Sequence, residues 1–426
     1  MSGGPVLRSG PLRYATARRF GLPRPVSERE RTPPHALICP QLPSRLDAVM
    51  GPPRDRIPQD EDCLQLSVTA PGTGGGGHPV VVWFHGGGFS SGSGLCAWYD
   101  AGRLAAEGGL VVVSVNYRLG ALGYLVLDGV SEGNLGLYDQ VAALCWVQDH
   151  IAAYGGDPGN VTVVGQSAGA LSAVLLMRMP MARGLFRRVV LQSAPLAIAA
   201  RPVRDAAETG RVFADHLRRI GAADPRTAPV AALLAVQART AADHRERTGS
   251  TLEPPFTPVT GVPALPGTGL DPGVRGTDVF YGWNADDMSA FPPGRDDPAE
   301  VCERTRLGYR EPLARLAAEL RRAGARTHAY RLDWRPPGTR LGATHCVELP
   351  LLLGQERAWY QAPMLGSTPW PEIAALGRAV RGAWISFVRT GTPGPLPAPL
   401  TDPYAGALPD APLTTTGPFR GPHSAA

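Results

Sequence analysis

The chain has 426 residues, 43% of them hydrophobic and 19% charged, which is enough apolar material for a large core and too little charge for a disordered chain. It carries 52 glycines and 44 prolines without a Gly-X-Y period, so turns are frequent and collagen is excluded. Formal net charge is +5; there is no lysine, and the arginines are scattered rather than gathered in a stripe with aromatics, which argues against a nucleic-acid surface.

No run of eighteen apolar residues is present, so no membrane span is expected. Met1 to Arg19 has arginines but no apolar h-region, so no secretory signal is read. The six cysteines are sparse and show no CxxC spacing. A cytoplasmic protein with reduced thiols, no metal and no cofactor is the expectation.

Residues 1–60, rich in proline and arginine with little periodicity, predict an irregular segment of short strands and loops. The first strong strand is Pro79–Phe84, ending at His85-Gly86-Gly87-Gly88-Phe89. A helix is expected over 98–107 and a second buried strand over Leu110–Tyr117. Gly136–Tyr154 keeps helical apolar spacing, and Gly155-Gly156-Asp157-Pro158 stops it. Val161–Gly165 predicts a third strand, Ala168–Met179 a helix directly behind it, and Arg188–Gln192 a fourth strand. Helices follow over 203–220 and 228–242, then a Pro/Gly loop over 252–276. A strand at Asp278–Trp283, a helix at 311–323 and a strand at Thr327–Trp334 come next. A last helix, Glu372–Thr390, places Ile373, Leu376, Val380, Trp384 and Phe387 on one face. The chain after 395, and 400–426 above all, reads as a loose tail. Buried strands alternating with helices predict an α/β fold, a mostly parallel sheet covered on both faces, in one domain over 1–426.

The main chemical signal is Gly165-Gln166-Ser167-Ala168-Gly169. A bare G-x-S-x-G is cheap in so glycine-rich a chain. Here it follows a buried strand and opens a helix, the context in which a sharp turn projects a serine hydroxyl at the top of a sheet. His85 to Gly88 follow an earlier strand, where a glycine loop aims backbone N–H groups at a developing oxyanion. His85 itself reads as structural rather than as a base. A serine nucleophile needs a base and an acid to orient it. His345 follows the 327–334 strand, whereas His328 lies within it and His423 in the tail. Asp286 and Asp287 follow the 278–283 strand, at the strand ends where α/β catalytic groups sit. A turn or helix cap is the equal alternative for that Asp pair.

These motifs together resemble the type-B carboxylesterases, the family of the cholinesterases and bacterial carboxylesterases. The matching stretches are Glu61-Asp62-Cys63-Leu64, Val81 to Phe89, Asn116-Tyr117-Arg118, Gly133 to Gln140, Gly155 to Pro158, Gly165 to Gly169, Phe256 to Val259, Gly282 to Asp287, Gly342 to Leu349 and the Trp384 helix. The resemblance implies an α/β-hydrolase fold and an acyl-enzyme mechanism. Ser167 falls on the nucleophile, His345 on the base and Asp287, rather than Asp286, on the acid. Gly87, Gly88 and Ala168 fall on the oxyanion donors, and Glu348 on a carboxylate near the histidine. The implied partner is a small ester.

Three features depart from the family. The acid is Asp where Glu is usual, so its loop must approach His345 more closely; Met288 replaces a glycine; and only 58 residues separate Asp287 from His345. The short stretch predicts a reduced cap and a more open gorge that admits a bulky substrate. Cys39 and Cys63 resemble a pair that secreted members link; without a signal they are expected to stay reduced. Two alternatives remain: a biosynthetic enzyme that transfers the acyl group, forms or opens a lactone or cyclises, and a non-catalytic binding protein on the same fold.

Overall fold

In a computed structural model, residues 5–405 are described, apart from 73, 74, 199, 293 and 295. A nine-stranded sheet runs through the chain: β1 Val6–Arg13, β2 Gln65–Pro71, β3 His78–Phe84, β4 Val111–Val115, β5 Gly156–Gln166, β6 Arg188–Gln192, β7 Asp278–Asn284, β8 Arg326–Leu332 and β9 Leu400–Thr401. Spatial order is β1-β2-β4-β3-β5-β6-β7-β8-β9. The six strands from β4 to β8 pair in parallel; β1, β2 and β9 are antiparallel additions at the edges.

The continuous apolar strands bury both faces. In β3, Val80, Val82 and Phe84 join one core, while Val81 and Trp83 join the other. The first core is closed by α2 Leu135–His150, α3 Ala168–Leu176 and α7 Glu311–Arg322. The second is closed by α1 Gly102–Gly108 and α8 Trp370–Thr390, whose face is Ile373, Val380, Trp384 and Phe387, with Leu376 partly buried beside them. Between them in the chain lie α4 Val203–Arg219, α5 Val230–Thr248 and α6 Pro298–Thr305.

Three expectations need correction. Residues 1–60 are not wholly irregular: β1 pairs with β2 over Val6↔Pro71 to Arg13↔Gln65. An edge strand needs only one partner, so β1 tolerates exposed Leu7 and Arg8 and a break in register at Gly10-Pro11, which hid its period. The tail is not loose from 395 onwards, because Leu400 and Thr401 pair with Leu332 and Arg331; the rest of the predicted tail, 406–426, lies outside the described residues. Helix 228–242 extends to Thr248, where Gly249 ends it at φ +67°. Its last turns carry Arg and His, which gave no apolar period to read.

Candidate active site

β5 ends at Gln166, Ser167 turns the chain, and α3 begins at Ala168. Ser167 sits at φ 54° and ψ −121°, a conformation that costs roughly 1–3 kcal/mol in a non-glycine residue. Its N–H donates to Gln192 O of β6 at 2.9 Å, and its carbonyl accepts from Leu171 N at 2.9 Å, so both neighbours hold the turn. The turn brings backbones into contact. A Cβ on Gly169 would lie 2.0 Å from Phe84 O, so only glycine fits there.

Phe84 leads into the loop at 85–89. His85 is buried, stacked on Tyr117 with centroids 4.4 Å apart, and Tyr117 donates its hydroxyl to His85 O at 2.7 Å. Burial pulls the His85 pKa down to about 4, so the ring is neutral and acts as a wedge under the loop. A Cβ on Gly87 would lie 1.9 Å from Ser91 O. Among the described residues the N–H groups of Gly87, Gly88 and Ala168 have no protein acceptor, and all three residues line one pocket with Ser167.

The carboxylate of Asp287 follows β7 directly. Its Oδ1 is 2.8 Å from His345 Nδ1, and both side chains are fully buried. Its Oδ2 accepts from Ser193 Oγ and from Asn284 N, each at 2.9 Å. Asp286 points elsewhere: it pairs with Arg335 at 2.8 Å and accepts from Ala343 N at 2.8 Å, which anchors the loop leading to His345. Asn284 also donates to Glu348 Oε2 at 2.5 Å and to Thr344 O at 2.9 Å. Glu348 is buried, its Oε1 has no partner among the described residues, and desolvation together with the Asp287 charge pushes its pKa to about 7.

Ser167 and His345 are not hydrogen-bonded to one another. His345 Nε2 faces the Gln166 side-chain nitrogen at 3.2 Å, and that nitrogen also donates to Cys346 Sγ at 3.4 Å. Accepting there while donating Nδ1–H to Asp287 is the tautomer a general base needs. A Cβ on Gly86 would lie 2.6 Å from Gln166 Oε1 and 3.2 Å from Ser167 Cβ, so one small neighbourhood holds the serine, the amide and the glycine loop.

Four of the six non-glycine residues with positive φ among the described residues adjoin this site: Phe89, Ser167, Ser193 and Cys346. Strain gathered at one place marks a constellation held by its surroundings. Sequence reasoning missed Gln166, Ser193 and Asn284 as partners, although Gln166 and Asn284 lie inside quoted motifs.

The pocket above Ser167 encloses about 770 Å³ including its mouth. Leu46, Phe89, Leu171, Ile198, Met288 and Phe291 make it largely apolar. The short stretch between Asp287 and His345 still supplies wall, through Phe291, Gly308 and Tyr309. Cys39 and Cys63 are buried free thiols, and Cys39 Sγ accepts from Leu119 N at 3.3 Å. No cluster of metal-ligating side chains and no helix long and apolar enough to cross a membrane occurs among the described residues.

A strained serine between strand and helix, a buried Asp–His pair at later strand ends and free backbone N–H groups beside them can together perform acyl transfer. Comparisons with known proteins give the family. The chain is 39% identical over 405 residues to a probable N-octanoylanthranilate hydrolase of Rhodococcus erythropolis, covering 89% of this chain and 88% of that protein. It is 33% identical over 403 residues to the para-nitrobenzyl esterase of Bacillus subtilis, covering 84% and 79%. A solved thermophilic PNB esterase superposes with a TM-score of 0.79 at 29% identity, over 93% of this chain and 89% of that one, which makes the fold an α/β-hydrolase. Residues 10–290 match the Carboxylesterase family, and the chain is a hydrolase of that family.

Proposed function

We propose that the chain hydrolyses carboxylic esters through an acyl-enzyme on Ser167. The Asp287–His345 hydrogen bond carries this reading, because it fixes the imidazole tautomer that can take a hydroxyl proton. Ester carbonyl oxygen binds toward the N–H groups of Gly87, Gly88 and Ala168. Ser167 Oγ attacks the carbonyl carbon as His345 Nε2 takes its proton, which requires the hydroxyl to displace the Gln166 amide from that nitrogen. Backbone dipoles hold the oxyanion; one such donor is worth about 3–4 kcal/mol in a comparable enzyme. His345 then gives the proton to the departing alcohol. Water, deprotonated by the same imidazole, attacks the acyl carbon and releases the acid while Ser167 regains its proton. The apolar pocket suits a bulky apolar acyl or alcohol group.

The compared relatives are named as esterases and hydrolases, so transfer or cyclisation gains no support from them. Ser167→Ala is expected to abolish p-nitrophenyl acetate hydrolysis while circular dichroism stays unchanged. Undiminished turnover in that variant overturns the proposal.

A further inference from the structure

Arg45 is the one charged side chain among the residues lining the pocket. Its Nη1 is tied down by two backbone carbonyls, Thr251 O at 3.1 Å and Leu252 O at 3.0 Å. Its Nη2 is directed at the glycine loop: a Cβ on Gly88 would lie 2.7 Å from it. The guanidinium therefore lies against Gly88 of that loop, held at one edge and open at the other.

Its charge has no counter-ion: among the described residues no carboxylate lies within ion-pair distance of Arg45. The acid on the neighbouring loop, Glu253, is directed at Arg201 Nε at 3.4 Å and His244 Nε2 at 4.0 Å. The electrostatic neighbours of Arg45 are a second cation, Arg245, and the phenol of Tyr309. Arg45 is open to solvent through its free edge, yet surrounding protein and Arg245 both press its pKa below the ordinary value. It stays cationic all the same, since an arginine does not lose its proton in a protein. A solvent-open guanidinium without a carboxylate partner, at the edge of a mostly apolar pocket, leaves its free N–H groups available to an anion carried by the substrate.

Resting on the esterase reading, we infer that Arg45 is a specificity residue for esters carrying a carboxylate near the scissile bond. The fork geometry of its free Nη2 edge matches a carboxylate, and its place beside Gly88 sets that carboxylate a few bonds from the reacting carbonyl. The apolar remainder of the substrate then fills the space lined by Leu171, Met288 and Phe291.

Two matched pairs test the inference and separate the side on which the charge lies. For the alcohol side, 3-acetoxybenzoate is compared with neutral 3-acetoxybenzamide. For the acyl side, mono-4-nitrophenyl adipate is compared with 4-nitrophenyl hexanoate. The wild-type enzyme is expected to favour the anion in at least one pair by about tenfold in kcat/KM, mainly through KM and more at low salt. In Arg45→Gln that ratio is expected to collapse toward one, and Arg45→Lys to restore part of it. A loss of the Nη1 anchor alone would lower both members of a pair equally, as would a direct role on the oxyanion. Equal changes in both members, or no anion preference in either pair, overturn the inference. If no ester of either kind is turned over, it is the Ser167 reading that fails instead.

Discussion

The substitution Asp287→Asn probes the arrangement sharply, because the geometry dictates which way the amide must face. Asp287 Oδ2 accepts from the Asn284 N–H, a donor that cannot reverse, and from Ser193 Oγ. An asparagine oxygen must therefore occupy the Oδ2 position. The NH₂ group then faces His345 Nδ1, where Oδ1 now stands at 2.8 Å. It can only donate, so Nδ1 becomes an acceptor, the proton moves to Nε2, and the nitrogen needed by Ser167 is blocked. A charge term adds to this. A carboxylate about 4 Å from the imidazolium centre stabilises it by about 4 kcal/mol at an effective dielectric of about 20, or roughly 10³ in rate. With the wrong tautomer the expected loss in kcat is about 10⁴-fold, as in a comparable serine triad. The assay is initial-rate hydrolysis of 4-nitrophenyl butyrate, with thermal unfolding to show that the fold tolerates the substitution. A loss under tenfold in a folded variant would refute the tautomer argument.

Further outcomes follow from the surroundings. Gly169→Ala forces a methyl to within 2.0 Å of Phe84 O, so it is expected to lower stability by about 3 kcal/mol or to prevent soluble expression; an unchanged denaturation midpoint contradicts the close approach. Glu348 has its pKa raised to about 7 from an ordinary 4.5, so its burial opposes folding increasingly as pH rises from about 4.5 to 7, and the penalty is complete above that. Glu348→Gln is therefore expected to be more stable than wild type at pH 9, by up to about 3 kcal/mol, with the gain vanishing near pH 4. Urea unfolding at both pH values measures it, and an equal difference at pH 4 and 9 speaks against the raised pKa.

The parallel sheet was legible because its strands are buried on both faces and read as unbroken apolar runs such as Val80–Phe84. The edges were not, since β1 and β9 have one partner each, carry polar or proline-rich sequence, and owe their pairing to the rest of the sheet. The same division holds at the site. Ser167, the glycine loop and His345 announce themselves through local motifs whose chemistry depends on backbone turns. Asp287 and Asp286 are adjacent and chemically alike, so the residues alone left the pair open and only the family resemblance favoured Asp287; the path of the chain after β7 turns one to His345 and the other to Arg335. Ser193 and Arg45 left no trace at all, for their roles arise from contacts across 94 residues to Asp287 and across 206 to Thr251. Long-range packing of that kind has no period or spacing in a single sequence.

The most direct test is covalent capture of the nucleophile. Incubation with a fluorophosphonate, followed by peptide mapping, is expected to place one phosphonyl group per chain on Ser167, with activity lost in step and no adduct in Ser167→Ala. An adduct on another serine, or full inactivation while Ser167 remains unmodified, would contradict the account.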